Sequence, residues 1–165
     1  MPDRATPVFV TTVASPIGPL TLMGRHGHLT HLVMEDQAHA TEAPADSVED
    51  ATAFAEVADQ LAAYFAGERR TFEVPMTLGG TDFQRRVWAE LSAIPYGETI
   101  SYGELARRVG NPKASRAVGL ANGRNPIAVI IPCHRVVAAD GSLGGYGGGR
   151  DRKVHLLELE RATRG

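Results

Sequence analysis

The sequence predicts an α+β protein in two parts. Residues 1–80 read as a small antiparallel sheet with one helix, and residues 81–165 as a mostly helical half containing a helix-turn-helix. Three observations predict this. Short β-type runs punctuated by Gly and Pro fill residues 8–34, whereas helical periodicity dominates after residue 80. The charge divides at the same place: residues 1–80 carry four Lys/Arg against eleven Asp/Glu, a formal −7, and residues 81–165 carry thirteen against eight, a formal +5. The single cysteine, Cys133, lies in the basic half with a histidine directly after it.

Residues 8–13 alternate weakly and end at the turn residues Ser15-Pro16-Ile17-Gly18-Pro19; residues 20–23 and 29–34 follow, separated by Gly24 and Gly27. Three short strands with such punctuation predict an antiparallel meander. Residues 38–50 are small, acidic and polar and read as a loop. Phe54, Val57, Ala58, Leu61 and Phe65 then share one stripe of an amphipathic helix that stops at Gly67. These elements form an N-terminal scaffold, and residues 68–80 form the linker out of it.

Thr81 or Asp82 caps the next helix, in which Phe83, Val87 and Leu91 repeat, and Pro95-Tyr96-Gly97 ends it. Ser101-Tyr102-Gly103-Glu104 has the form of a capping box and opens a short helix to Val109. Gly110 turns the chain, Asn111 caps a second helix with Pro112 at its first position, and Asn122-Gly123 stops it after Ala121. That pair has helix-turn-helix layout, although an αα-hairpin with a solvated Arg/Lys face fits the pattern equally well. A glycine-rich loop over residues 141–149 surrounds Tyr146. Residues 151–164 close the chain as a helix with Val154, Leu156 and Leu157 apolar.

The 43% hydrophobic content is ordinary for a globular chain of 165 residues. No apolar run approaches the roughly 20 residues that span a bilayer, and residues 1–4 lack the layout of a signal peptide. One cysteine excludes an internal disulfide, so a reducing, cytoplasmic setting without membrane attachment is expected. A basic half beside an acidic one points to a polyanionic partner.

The apolar run over residues 127–131 reads as a buried strand or core segment, and Pro132 ends it immediately before Cys133. A lone cysteine is most often a small buried hydrophobe. Neighbouring cations such as His134 and Arg135 would favour its thiolate, the nucleophilic form. In an extended chain, however, adjacent side chains point to opposite sides, so a direct Cys–His contact does not follow. His26, His28 and His31 are better read as strand histidines than as zinc ligands, because a fourth ligand is lacking. By spacing alone, Glu160 reads as a surface residue paired with Arg164.

Pro132-Cys133-His134-Arg135-Val136-Val137 resembles the active-site motif of the O6-alkylguanine-DNA alkyltransferases. Arg116-Ala117-Val118-Gly119, Asn125-Pro126 and Tyr146-Gly147-Gly148 extend the likeness from about Thr81 to the C-terminus. Over residues 1–80 it rests on layout and on residues 15–20. The resemblance implies stoichiometric, irreversible transfer of an alkyl group from O6-alkylguanine, and from O4-alkylthymine, in duplex DNA to Cys133. It further implies that the base is flipped out of the stack. His134 would draw off the thiol proton through a water, with Glu160 orienting it. Tyr102 would supply a proton to the leaving base, and Asn125 would hold the turn beneath the cysteine. Tyr146, Gly147, Val136, Ala128 and Arg135 would meet the substrate; at Gly147 some members carry a serine, so only a backbone N–H is available here. Arg116 would enter the vacated stack as a finger, with Ala117, Gly119, Lys113, Ser115 and Arg124 along the DNA. No metal or organic cofactor is expected. The partner that the resemblance implies is double-stranded DNA carrying O6-alkylguanine, met by a monomer, with cooperative binding left open. The rivals are a helix-turn-helix protein without chemistry and a turning-over cysteine hydrolase.

Overall fold

The structure, a computed structural model, describes residues 7–25 and 27–163. Three strands, β1 (Phe9–Val13), β2 (Leu20–Arg25) and β3 (His28–Met34), form the expected antiparallel meander. A fourth, β4 (Val48–Glu49), pairs parallel to β1, so the sheet is mixed, in the order β3-β2-β1-β4. The sequence assigned residues 38–50 to loop; two residues with exposed side chains carry no alternation by which to find a strand. A bulge between Met23 and Gly24 shifts the β2–β3 register. Only glycine fits there, because a Cβ at Gly24 would lie 2.0 Å from the His28 carbonyl oxygen.

Helix α1 (Ala55–Phe65) buries Val57, Gln60, Leu61 and Tyr64 along one stripe. The linker after it is not free. Gln60 exchanges two 2.9 Å hydrogen bonds with the Glu73 backbone, and Leu29 of β3 bonds Pro75 and Thr77 on either side of Met76. Helix α2 (Asp82–Ser92) starts at a complete capping box between Thr81 and Gln84 and buries Val87, Trp88 and Leu91. Strand β5 (Ile100–Ser101) leads into α3 (Tyr102–Arg108). There Ser101 caps the Glu104 N–H, but the Glu104 carboxylate turns to Arg107 and Arg108, so only half of the expected capping box forms.

Helix α4 (Ser115–Gly123) begins three residues later than the Pro112 signal suggested. The Ala114 N–H bonds the Asn111 carbonyl, so Asn111-Pro112-Lys113-Ala114 is a turn of its own. The helix also continues through Asn122 and Gly123, because Asn122 is buried at its base rather than ending it. A turn of 3-10 helix, Cys133–Arg135, and strand β6 (Val136–Val137), parallel to β5, lead to α5 (Arg150–Ala162). One apolar core runs through both halves and includes Leu22, Leu32, Trp88, Ile127 and Leu156. A backbone bridge from Leu29 holds Met76 of the linker to the sheet, and one from Leu32 to Ile127 ties the sheet to the second half. Among the described residues no helix is long and apolar enough to cross a membrane.

Candidate active site

Residues 127–131 form a buried tight turn instead of a strand. Ile131 N–H returns to the Ile127 carbonyl at 2.9 Å, and Val129 takes a left-handed φ of 72°. A β-branched residue there is strained by about 1–3 kcal/mol and must be held by its surroundings. Asn125 does the holding: its Oδ1 accepts from Ile127 N–H at 3.0 Å and its Nδ2 donates to the Ile131 carbonyl at 2.7 Å. The chain then enters the 3-10 turn, where successive side chains fan out by about 120°. Cys133 points into a cavity, while His134 and Arg135 point to Glu160 on α5.

Glu160 is fully buried and accepts five hydrogen bonds: from Tyr64 Oη (2.6 Å), His134 Nε2 (2.6 Å), Arg135 Nε (2.8 Å), Arg135 Nη2 (3.0 Å) and Gly97 N–H (3.2 Å). Burial pushes its carboxyl pKa up, but the His134 and Arg135 contacts overcome that and hold it well below the ordinary range. The pairing with Arg164 is not needed to explain this residue, and Arg164 lies outside the described residues. Burial lowers the His134 pKa against the opposing pull of Glu160, so the imidazole is neutral near pH 7. An ionised carboxylate only accepts, so Nε2 carries the proton and Nδ1 the lone pair. Nδ1 is buried without a protein partner, as a base awaiting a proton would be.

Burial pushes the Cys133 thiol up; a hydrogen bond from Asn125 and the charge of Lys153 oppose the rise. The expected cation, Arg135, is elsewhere. Its guanidinium is consumed by Glu160 and, at 2.6 Å, by the Ile94 carbonyl, and it stacks 5.6 Å from the Tyr96 ring centre. It therefore lies neither at the substrate cavity nor on a basic face. The group that sequence reasoning missed is Lys153, which is fully buried. Its Nζ donates to the carbonyls of Val136 (2.7 Å), Leu143 (2.5 Å) and Gly145 (3.2 Å), and burial lowers its pKa to about 8. Lys153, Leu156 and Glu160 form the inward i, i+3, i+7 stripe of α5. Leu156 already marks that stripe in the sequence, and the charges one turn to either side of it are the available signal, whereas Val154 and Leu157 lie on other faces.

The cavity holds about 250 Å³ and is lined by Cys133, Tyr102, Asn125, Ala128, Tyr146 and Gly147 among others. Val136 does not line it: it is buried in β6, and its carbonyl receives Lys153. Tyr102 stands at the start of α3 against Gly119 and Gly144; a Cβ on Gly144, whose φ is 70°, would come within 3.0 Å of the Tyr102 hydroxyl. Burial, then the nearby Cys133, raises the Tyr102 pKa, so its proton is retained. The Tyr146 hydroxyl is likewise pushed well up by burial and Cys133; it is buried without a well-formed hydrogen bond. The loop after β3 closes the far wall, with Ala38 N–H bonding the Gly147 carbonyl at 2.8 Å.

Arg116, Ala117, Lys113, Ser115 and Arg124 are all exposed on or beside α4, and Gly119 lies at the cavity rim. Arg116 is not drawn into any ion pair among the described residues. Asn122, read from sequence as a helix stop, lines the cavity and reaches the Cys133 carbonyl at 3.4 Å. His28 and His31 bond Thr77 and Thr30, and no group of three His, Cys, Asp or Glu among the described residues could hold a metal ion. His26 lies outside the described residues.

A helix-turn-helix packed beside a buried Cys–His–Glu site, all resting on a small mixed sheet, is the class that this fold and site define. The family model for the 6-O-methylguanine DNA methyltransferase ribonuclease-like domain matches residues 8–78, and that for the DNA binding domain matches residues 82–162. A methylated-DNA–protein-cysteine methyltransferase of Mycobacterium leprae is 58% identical over 154 residues, covering 93% of each chain. One from Methanosarcina acetivorans is 53% identical over 153 residues, covering 93% of this chain and 98% of its own. The crystal structure of Mycobacterium tuberculosis OGT in complex with DNA matches with a TM-score of 0.88 and 56% identity over 94% of each chain. The chain belongs to the 6-O-methylguanine DNA methyltransferase family.

Proposed function

We infer that this protein repairs alkylated DNA directly, moving the alkyl group from guanine O6, and from thymine O4, onto its own Cys133. The observation that carries this is the locked imidazole. Glu160 fixes His134 in the tautomer whose Nδ1 can take a proton, one residue from a thiol that opens into a cavity at the base of α4. The Cys133 sulfur attacks the alkyl carbon, the carbon–O6 bond breaks, and its electron pair stays with guanine. The thiol proton goes to His134, and the departing base takes one from Tyr102; exchange with solvent restores both groups. Thiolate suits this step because it is soft and strongly nucleophilic. The thioether formed has no group poised to cleave it, so each molecule acts once.

A base inside a duplex cannot reach the cavity, so the nucleotide must be extruded. Arg116 would fill the space it leaves. Lys113, Ser115, Arg124 and the small residues Ala117 and Gly119 would let α4 lie close to the minor groove, where readout is degenerate. In this reading residues 1–80 are the scaffold, whose post-β3 loop walls the cavity, and residues 81–165 carry DNA binding and chemistry. The test compares wild type with Cys133→Ser on a duplex containing O6-methylguanine. The serine variant should bind the duplex nearly as well and transfer nothing; alkyl transfer to any other residue by that variant would reject the assignment.

A further inference from the structure

Leu120 stands out on α4 because it is 70% exposed, whereas every other large apolar side chain of the helix-turn-helix is buried or partly buried. A single exposed leucine is ordinary on a surface; its surroundings are what distinguish this one. At about 100° per residue, the exposed positions of the helix and its cap, Arg116, Ala117, Leu120, Gly123 and Arg124, share one side, opposite buried Val118, Ala121 and Asn122. Leu120 falls near the middle of that side. Two arginines flank it, neither drawn into an ion pair among the described residues, and its nearest neighbours are the smallest residues available. The helix contains no acidic residue. Gly119, directly before Leu120, and Gly123, one turn on, both line the cavity that contains Cys133. The side chain is therefore an apolar projection at the rim of the reactive cavity, in the centre of a cationic, sterically open face.

Resting on the repair reading above, we propose that Leu120 is an apolar wedge. It seats in the minor groove beside the extruded nucleotide, against deoxyribose and base edges, and with Arg116 keeps the vacated stack open. Apolar side chains inserted from the minor groove unstack adjacent bases, and Arg124 on the other flank supplies the phosphate attraction that brings the wedge to its step. A second copy of this chain is the competing occupant, but the helix face around Leu120 favours a polyanion: two arginines outside any ion pair among the described residues, and no carboxylate on the helix itself.

Full-length Leu120→Gln, of similar length but polar, and Leu120→Met, which remains apolar, separate the cases. Single-turnover transfer from saturating O6-methylguanine duplex should slow about tenfold in the glutamine variant and stay within about twofold of wild type in the methionine variant. Reaction with free O6-benzylguanine, which needs no extrusion, should stay within about twofold for both. 2-Aminopurine beside the lesion should brighten less on binding the glutamine variant. A wild-type duplex rate at saturation, with or without weaker affinity or an altered oligomeric state, would overturn the proposal. Equal slowing on duplex and free base would do the same, because it would mark a general defect. Wild-type protein inert towards both substrates would overturn the repair reading and this proposal with it.

Discussion

Replacing Glu160 by glutamine removes one charge and almost no volume, at a carboxylate that accepts five hydrogen bonds and faces two buried cationic or imidazole partners. A glutamine has one accepting oxygen and an amide that must point at donors. The Arg135 guanidinium is then left uncompensated in the interior, a loss of about 3–5 kcal/mol. For a chain of this size that lowers Tm by about 6–20 °C, at about 2–4 °C per kcal/mol. If the amide faces His134, Nε2 must accept and Nδ1 carries the proton, so the base is lost and single-turnover transfer should fall by about 10²–10⁴. The carboxyl pKa of Glu160 lies below its ordinary value of 4.5 in the folded state. Its stabilising effect is therefore present above about 4.5 and lost as pH falls through the lower, folded value. The variant should accordingly show a flatter acid dependence of Tm. Scanning calorimetry between pH 3 and 7, with rapid-quench transfer from an O6-methylguanine duplex at a temperature where the variant is folded, reads both effects. A variant that loses Tm as expected yet transfers within about twofold of wild type would refute the orienting role.

The Arg116→Ala variant should repair saturating duplex about 10–100-fold more slowly but react with free O6-benzylguanine nearly as wild type, because extrusion costs a few kcal/mol; single-turnover kinetics at saturation check this, and a wild-type rate there would make Arg116 a phosphate contact only. Lys153 has its pKa lowered by burial to about 8, so transfer should decline as pH rises past that value and the cation near Cys133 is lost. The same shift means that the penalty of its buried charge is full below about 8 and relieved towards its ordinary 10.5. In Lys153→Arg the alkaline decline should vanish, and a pH–rate profile decides it. Asn125→Ala leaves Ile127 N–H unpaired and the Ile131 carbonyl with the Cys133 N–H as its one remaining donor. It should cost about 1–3 kcal/mol in denaturant titrations and slow thiol alkylation by a small electrophile.

The meander, α1 and α2 were legible because each repeats a hydrophobic period over several turns or strands: Val57 and Leu61, or Val87 and Leu91, meet the core as their spacing dictates, although on α1 the buried stripe passes through Gln60 and Tyr64 while Ala58 and Phe65 are only partly buried. The resemblance of the Cys133 motif placed the cavity residues Tyr102, Asn125 and Tyr146 together. What escaped the sequence was decided by tertiary context. Asn111 and Pro112 carry the ordinary signs of a helix start, yet those residues make a separate turn and α4 begins at Ser115. Residues 127–131 look like a strand because they are apolar and four of the five are β-branched, but Asn125 bridges both ends of a turn and holds a positive φ at Val129. Arg135 and Lys153 were misread or overlooked for one reason: buried charge is rare enough that charged residues default to the surface. Here a buried carboxylate recruits the first and three inward-facing carbonyls recruit the second.

The central claim is that Cys133 is both nucleophile and final acceptor. Wild-type protein incubated with a large excess of O6-methylguanine duplex, followed by intact-mass measurement and peptide mapping, tests it most directly. One methyl group per chain should appear, confined to the peptide bearing Cys133, with an equal amount of O6-methylguanine in the duplex restored to guanine and no further product afterwards. Product that keeps accumulating beyond one per chain while Cys133 remains free, or a methyl group on any other residue, would contradict the account.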